Sequence, residues 1–482
     1  MARNSPSNTT AFNKLPIELN KNVAHFLEND ADIANFSAIC RATNHAVDGD
    51  NLSFWRAKFR EKYVLMTGTK NRELKSKYKR RAKYLRRGTG LQFIRGHTGT
   101  EKRITAILTD LINESWKGAV HLGEHGEPQC LNLAALSKFV MNSWILLDGK
   151  RPPPPKGNNP KGVHPALAAV RLMCAHFLFD LGGARHNILG IDESQKAVYA
   201  PTNLAPLYIS DKKNEVNMEW ALHCLNFFLF HMKNPDASLL HDKVEELDSF
   251  DRPSAWREPL KAGSYPLNKC WKGTYAYMLR PDLDRFREYA SGKKHLRPED
   301  TIFSDLNVEE GCIQSIQFDF DSEGGATWPD AAEQRLRSQR ETIFDHTRAQ
   351  HSKRNKIDPE GERSKNIQVT GWGNDQDDHF YMTGWLNPLP DQSGIPGWQR
   401  ITLMKHFEEE LDMLDEDNHW AYEGVVLPGG RIILGRWWWA NDEVDFDDEY
   451  GGPFILWAVD SAPELPCDSD GDGDGDDEND EA

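Results

Sequence analysis

HLGEH, residues 121–125, places His121, Glu124 and His125 at the spacing of a zinc site. That chemistry needs its ligands on one helix face and a further ligand from elsewhere in the chain. Gly123, Gly126 and Pro128 work against a helix here, so the stretch reads as an ordinary polar turn. DGDGDGDDENDE (470–481) meets the formal calcium-loop pattern at Asp470, Asp472, Asp474, Gly475 and Glu481. A loop of that kind needs flanking helices and an apolar residue two places after the glycine; that place is Asp477. The segment therefore reads as an acidic tail that stays unfolded. The seven cysteines are scattered and form no CxxC pair, the usage of a reducing compartment. No P-loop, no dinucleotide fingerprint after a strand and no nucleophile elbow occurs. The sequence thus assigns no catalytic residue, no metal and no cofactor, and the chain is expected not to be an enzyme.

The elements that remain must act by binding. Hydrophobic residues make up 39% of the 482 and charged residues 27%, enough for packed cores in two to four domains. MARNSPSNTT lacks the apolar stretch of a secretory signal. The most apolar run, ALHCLNFFLFHM (221–232), is too short to span a bilayer. A soluble protein of the cytoplasm, the nucleus or both is expected, with no membrane partner. Net charge is −16, and subtracting the nine carboxylates of residues 468–482 leaves −7. That balance weighs against a broad nucleic-acid surface. The basic run KNRELKSKYKRRAKYLRR (70–87) reads as a solvated helix packing one narrow side, with a nuclear-import or nucleic-acid role as the alternative.

From Leu15 the apolar positions Leu15, Leu19, Val23, Phe26 and Leu27 share one helical face. Pro16 suits a first helical position, and Asp30 suits the cap of a second helix carrying Ile33, Phe36, Ile39 and Cys40. A polar turn, HAVDGDN, then leads to a third helix with Trp55 and Phe59 on one face. Helical periodicity continues through 104–116, 131–147, 166–182 and 218–232, interrupted by the proline-rich loop 151–162. Near residue 268 the texture changes. Eight strand-like runs follow, rich in glycine and tryptophan, and predict a closed or nearly closed antiparallel barrel. VVLPGGRIIL marks a hairpin, in which Val425, Leu427, Ile432 and Leu434 alternate along the two strands, so that one member of each adjacent pair is expected to face the core.

The ordered set Leu15, Pro16, Glu18, Leu19, Val23, Leu27, Asp32, Ile33, Cys40, Arg41, Trp55 and Arg56 resembles an F-box. Phe36 departs from it, since the family usually carries a smaller residue there. NPLPDQSGIPGWQRITLMKHF and WAYEGVVLPGGRIILGRWW resemble segments of fungal F-box proteins with a long C-terminal domain, and more loosely the lipocalin-like barrel of some animal F-box proteins. The resemblance implies docking on a Skp-type adaptor, and through it on cullin and RING subunits, with the rest of the chain binding a protein substrate. Adaptor contacts are then expected at Leu15, Pro16, Leu19, Val23, Leu27, Ile33, Phe36, Ile39, Cys40 and Trp55. Substrate contacts are expected at Trp372, Trp385, Trp398 and Trp438.

The expected fold class is α+β and multidomain. A flexible lead (1–12) precedes a three-helix F-box (13–62) and a helical linker domain (63–265). A β-barrel-like domain (266–462) follows, interrupted by a charged insertion at 329–365, and then a disordered acidic tail (463–482). The rival reading is a barrel that binds a small apolar ligand, with the F-box region governing turnover.

Overall fold

The structure is a computed structural model. It describes residues 11–123, 126–146, 162–180, 188–210, 212–237, 239–291, 303–320, 328–337, 365–376, 378–409, 413–440 and 449–460. The prolines of the 151–162 loop, residues 338–364 of the charged insertion and the acidic tail lie outside these.

Between Leu15 and Lys62 the chain forms four α-helices where three were expected: Ile17–Phe26, Asp30–Ile39, Arg41–Asp48 and Ser53–Lys62. The extra helix arises at Cys40. Its extended backbone (φ −159°) ends one helix, and its N–H donates to Thr43 Oγ1 at 3.0 Å to start the next. Thr43, Ala46 and Val47 then turn one face of Arg41–Asp48 inward. Pro16 occupies the cap position of the first helix rather than its first turn, and Asn29, not Asp30, precedes the second.

The basic run is the 18-residue helix Asn71–Gly88, which buries Leu74, Tyr78 and Arg81. It packs on the helix Gly99–Glu114. That helix begins in a capping box: Glu101 N–H donates to Thr98 Oγ1 at 3.2 Å and Thr98 N–H to Glu101 Oε2 at 3.0 Å. A two-residue hairpin, β1 (His121–Leu122) and β2 (Pro128–Gln129), follows. The helices Leu131–Met141, Pro165–Ala175, Ile191–Tyr199 and Met218–Lys233 complete the centre of the molecule. No helix among the described residues is long and apolar enough to cross a membrane.

The barrel is closed and antiparallel. Its strands are β3 (Cys270–Tyr275), β4 (Gln314–Asp319), β5 (Ile367–Asp375), β6 (Asp378–Pro388), β7 (Gln399–Glu409), β8 (Met413–Val426), β9 (Ile432–Trp439) and β10 (Gly451–Ala458). Each pairs with the next, and β10 closes on β3 through Phe454↔Tyr275 and Leu456↔Gly273. Closure removes the free edges that would otherwise pair with other chains. The interior holds Trp271, Ile316, Phe318, Val369, Phe380, Met382, Ile401, Leu403, Tyr422, Ile433, Phe454 and Leu456.

Strands β9 and β10 depart from the expected alternation, because nearly every residue in both is buried. Val425, Leu427, Ile432, Leu434, Ile455 and Trp457 face outward into the cluster that holds Trp220, Cys224, Leu225 and Phe228 of the central helices. A barrel flank covered by helices is apolar on both faces, so period-2 patterning vanishes there. The same cluster extends to Ala24, Phe36 and Trp55, so one continuous core links the N-terminal helices to the barrel flank.

The turn from β8 to β9 is built on Gly429 (φ 93°) and Gly430 (φ 67°), with Gly430 N–H donating to Leu427 O at 3.0 Å. Both values lie where β-branched residues are strained. A Cβ on Gly429 would also sit 2.2 Å from Cβ of Trp256. Replacing Gly429 and Gly430 with Val is therefore expected to strip protease resistance from the barrel and the central helices together. Limited proteolysis that still returned an intact barrel would show that the turn does not carry this strain.

Candidate functional sites

The N-terminal helices divide the expected adaptor contacts into three sets. Ile33, Phe36 and Trp55 are buried in the chain's own core, with Trp55 Nε1 donating to Asp48 Oδ1 at 2.7 Å. Leu27 and Cys40 are half-buried. Pro16, Leu15, Leu19, Val23 and Ile39 are exposed, Leu19 at 48%, and Phe26 adds a side chain 86% exposed. Spacing of three or four residues lines Leu19, Val23 and Phe26 along one edge of the first helix, and Leu15 stands just ahead of its Pro16 cap. Scattered exposed apolar residues are ordinary, but a contiguous row marks an interaction surface.

The four expected substrate-contact tryptophans also divide. Trp398 is fully buried, its Nε1 donating to Ile395 O at 2.9 Å. Trp438 is buried on the barrel flank, its Nε1 donating to Glu449 Oε1 at 2.6 Å, with the Arg335 guanidinium 4.7 Å from its ring. Neither presents a surface to a substrate, which corrects the expectation for both. Trp372 and Trp385 instead lie half-exposed on the outside of β5 and β6. Cross-strand register puts Gln317, Trp372 and Tyr381 in one row across β4, β5 and β6, with Tyr381 exposed. Gln317, Thr370, Trp372 and Tyr381 line a shallow cleft of ≈ 350 Å³ here. Trp385 stands four residues along the same face of β6, ~13 Å from Tyr381. These strands keep the clean buried/half-exposed alternation that β9 and β10 lose. Trp372 and Tyr381, with Lys269 and Asp319 lining the same cleft, give this partly open face the aromatic content of a protein-binding patch.

Inside the barrel the two ends differ. The up-and-down order gathers Trp271, Phe318, Val369, Leu386, Ile401, Val426 and Ile433 at one end, and all are buried. The other end collects the polar groups. Lys405 Nζ meets Asp375 Oδ2 at 2.7 Å, and Gln314 Nε2 donates to the same oxygen at 2.6 Å. The Lys405 ammonium lies 4.0 Å from the Phe380 ring centroid and 4.4 Å from that of Phe407. Burial pulls this ammonium below its usual range, against the pull of Asp375. Trp437 sits beside it, its ring 5.9 Å from Tyr275, 5.3 Å from Trp420 and 5.7 Å from Tyr450. Inward parity with Ile401 and Leu403 was the sequence signal for Lys405, and parity with Val369 the signal for Asp375; neither was read there.

A second buried ionic group fastens the barrel to the helical region. Glu423 on β8 accepts from Arg400 Nη2 at 2.6 Å and from Lys213 Nζ at 2.7 Å. Burial alone would push its carboxyl up; Lys213 and Arg400 override that and hold it at about 2. No group of three or more His, Cys, Asp or Glu side chains among the described residues could hold a metal ion. His121 lies on β1, while Glu124 and His125 lie outside the described residues. No family model, curated protein or solved structure matches the chain.

Because the Glu423 pKa falls from 4.5 unfolded to about 2 folded, its contribution is complete above pH 4.5 and is lost as pH drops toward 2. Glu423→Gln is expected to flatten the stability–pH curve across that window. Glu423→Ala, which leaves Arg400 buried without its partner, should cost ~3–5 kcal/mol at neutral pH in urea titrations. An unchanged acid limb in Glu423→Gln would remove Glu423 as its source.

Proposed function

We propose that this chain is the substrate-recognition subunit of an SCF-type ubiquitin ligase, docking a Skp-type adaptor through its N-terminal helices and a protein substrate through the barrel. The observation that carries the reading is the exposed row Leu15, Leu19, Val23 and Phe26, which falls within the stretch that resembles an F-box. A helix serving only its own chain would turn such a row inward. Here the inward side of the helix is Asn20 and Ala24, and the apolar edge is left for a partner. The chain's contribution to ubiquitin transfer is proximity, and the bond-making groups belong to other subunits. The open face carrying Trp372, Tyr381 and Trp385 supplies the substrate contact.

The polar barrel end favours a second reading, in which a small ligand reaches Lys405 and Asp375. Co-purification with mass spectrometry separates the two, since the first requires adaptor and cullin in the same complex.

Leu15→Ala/Leu19→Ala is expected to lose the adaptor and cullin, each truncation costing ~1–3 kcal/mol of binding, while the melting temperature stays within error because both side chains are exposed. Undiminished co-purification would sink the assignment. Trp372→Ala/Tyr381→Ala should leave the adaptor in place and deplete the substrate from the same pull-down. Depletion of the adaptor by this pair would refute the division of labour between helices and barrel.

A further inference from the structure

The basic helix Asn71–Gly88 and the acidic tail are the two sequence features that adaptor and substrate docking leave unused. The run from Lys70, the helix cap, to Arg87 carries ten Lys or Arg residues. Several are neutralised within the fold: Lys75 by Asp48 at 2.7 Å, Arg80 by Asp110 at 2.6 Å, and Lys77 and Arg81 by Glu114 at 3.4 and 2.7 Å. Lys79, Lys83 and Arg86 are exposed, and no described carboxylate stands within ion-pair distance of them. Their i, i+4, i+7 spacing makes one stripe along the helix.

That stripe forms a wall of a groove of ≈ 360 Å³ between this helix and Asp30–Ile39. Ile33, Ala34, Val47 and Trp55 give the groove an apolar floor, and the Lys79 ammonium lies 4.9 Å from the Trp55 ring centroid. The groove's two carboxylates are already engaged. Asp30 accepts from Tyr78 Oη at 2.8 Å, and Asp48 accepts from Trp55 Nε1 and Lys75. The unmatched charge of the groove is therefore positive, and its occupant is an acidic segment with a short apolar start.

Residues 461–482, SAPELPCDSDGDGDGDDENDEA, have that chemistry. Leu465 comes first, and nine carboxylates follow with no cation among them. The last described residue, Asp460, pairs with Arg431 at 2.9 Å and with Arg257. Neighbouring Trp256 accepts a hydrogen bond from Trp116 Nε1 at 3.1 Å, just beyond the helix whose Glu114 holds Lys77 and Arg81. The chain thus leaves the barrel within a few side chains of the basic helix. Twenty-two residues reach at most ~70 Å when extended and average ~25 Å as a coil, so the groove is within range.

We propose that residues 461–482 dock in cis along this groove, Leu465 toward the apolar floor and the carboxylate run against Lys79, Lys83 and Arg86. Tethering supplies an effective concentration in the millimolar range, so contacts too weak to hold a free peptide suffice within one chain. The contact is electrostatic, screened within ~10 Å at 0.1 M salt, and opens as ionic strength rises. It occupies a groove of the proposed adaptor-docking module without being part of the Leu15–Phe26 row.

The test uses the full chain, a chain ending at Asp460, and Lys79→Glu/Lys83→Glu/Arg86→Glu in each. All three positions are exposed, so the fold should survive, and circular dichroism checks it. Carbodiimide treatment of the full chain at low salt is expected to join tail carboxylates to Lys79 or Lys83, and 1 M NaCl should abolish the link. A fluorescent peptide of residues 461–482 should bind the shortened chain, bind the full chain at least tenfold more weakly, and lose the shortened chain upon charge reversal. Equal peptide binding by full and shortened chains, or binding that survives charge reversal, overturns the proposal. A DNA duplex that bound both chains equally through the same three residues would assign the helix to nucleic acid instead. No readout involves the adaptor, so failure of the ligase reading would leave this result standing.

Discussion

Burial of β9 and β10 on both faces is the constraint about which the rest of the molecule is arranged. The inward side of these strands fills the barrel with Ile433, Trp437, Phe454 and Leu456. The outward side, with Ile432, Leu434, Ile455 and Trp457, meets Trp220, Cys224 and Phe228 of the central helices. At ~25 cal/mol per Å², a second buried face of this size outweighs any single polar contact in the seam. The same packing dictates where the molecule can be open. The helices occupy the β9–β10 flank, and the outward residues of β5 and β6 keep their half-exposed alternation.

Legibility in the sequence follows the same line. Strands with one open face, such as IQVTGWGND, announce themselves by period 2, and the N-terminal helix does so by its row of leucines. The barrel's strand count and antiparallel order were readable for that reason. IILGRWWW carries no such alternation, because both of its faces are inside, so both members of each adjacent pair are buried where one was expected to face the core. HAVDGDN (45–51) reads as a polar turn although its first four residues end the helix Arg41–Asp48, because that helix buries Thr43, Ala46 and Val47, small residues that a scan for large apolar positions passes over. Trp398 and Trp438 could not be told from Trp372 by type. Only register and the helices packed outside the barrel separate a tryptophan that fills a core from one that faces outward.

The seam is also ionic, and the ions do a different job from the apolar contacts. Arg436 on β9 donates to the carbonyls of Ala200 and Ala205 at 2.6 and 2.7 Å, ahead of the central helix, and its guanidinium lies 4.9 Å from the Trp220 ring. Arg400 and Glu423 do the equivalent on β7 and β8 with Lys213. Apolar surfaces slide; a guanidinium matched to particular carbonyls does not. Replacing such groups with apolar residues is often neutral for stability, so their use here is best understood as fixing one placement of helices on barrel among several of similar packing energy.

That placement bears on the proposed function, because the receptor proposed above would act by distance. The N-terminal helices share a continuous core with the helical region through Phe36, Trp55, Leu74 and Tyr78. The helical region shares the same core with the barrel through Trp256, Leu434 and Trp457. A partner bound along Leu15–Phe26, as proposed, would thereby be linked through one continuous core to one bound at Trp372 and Tyr381. For a receptor that speeds a reaction by positioning alone, rigidity between the two surfaces carries the effect, since an oriented encounter is what raises the local rate. The ionic seam and the doubly buried strands are then part of the proposed activity although neither touches a partner.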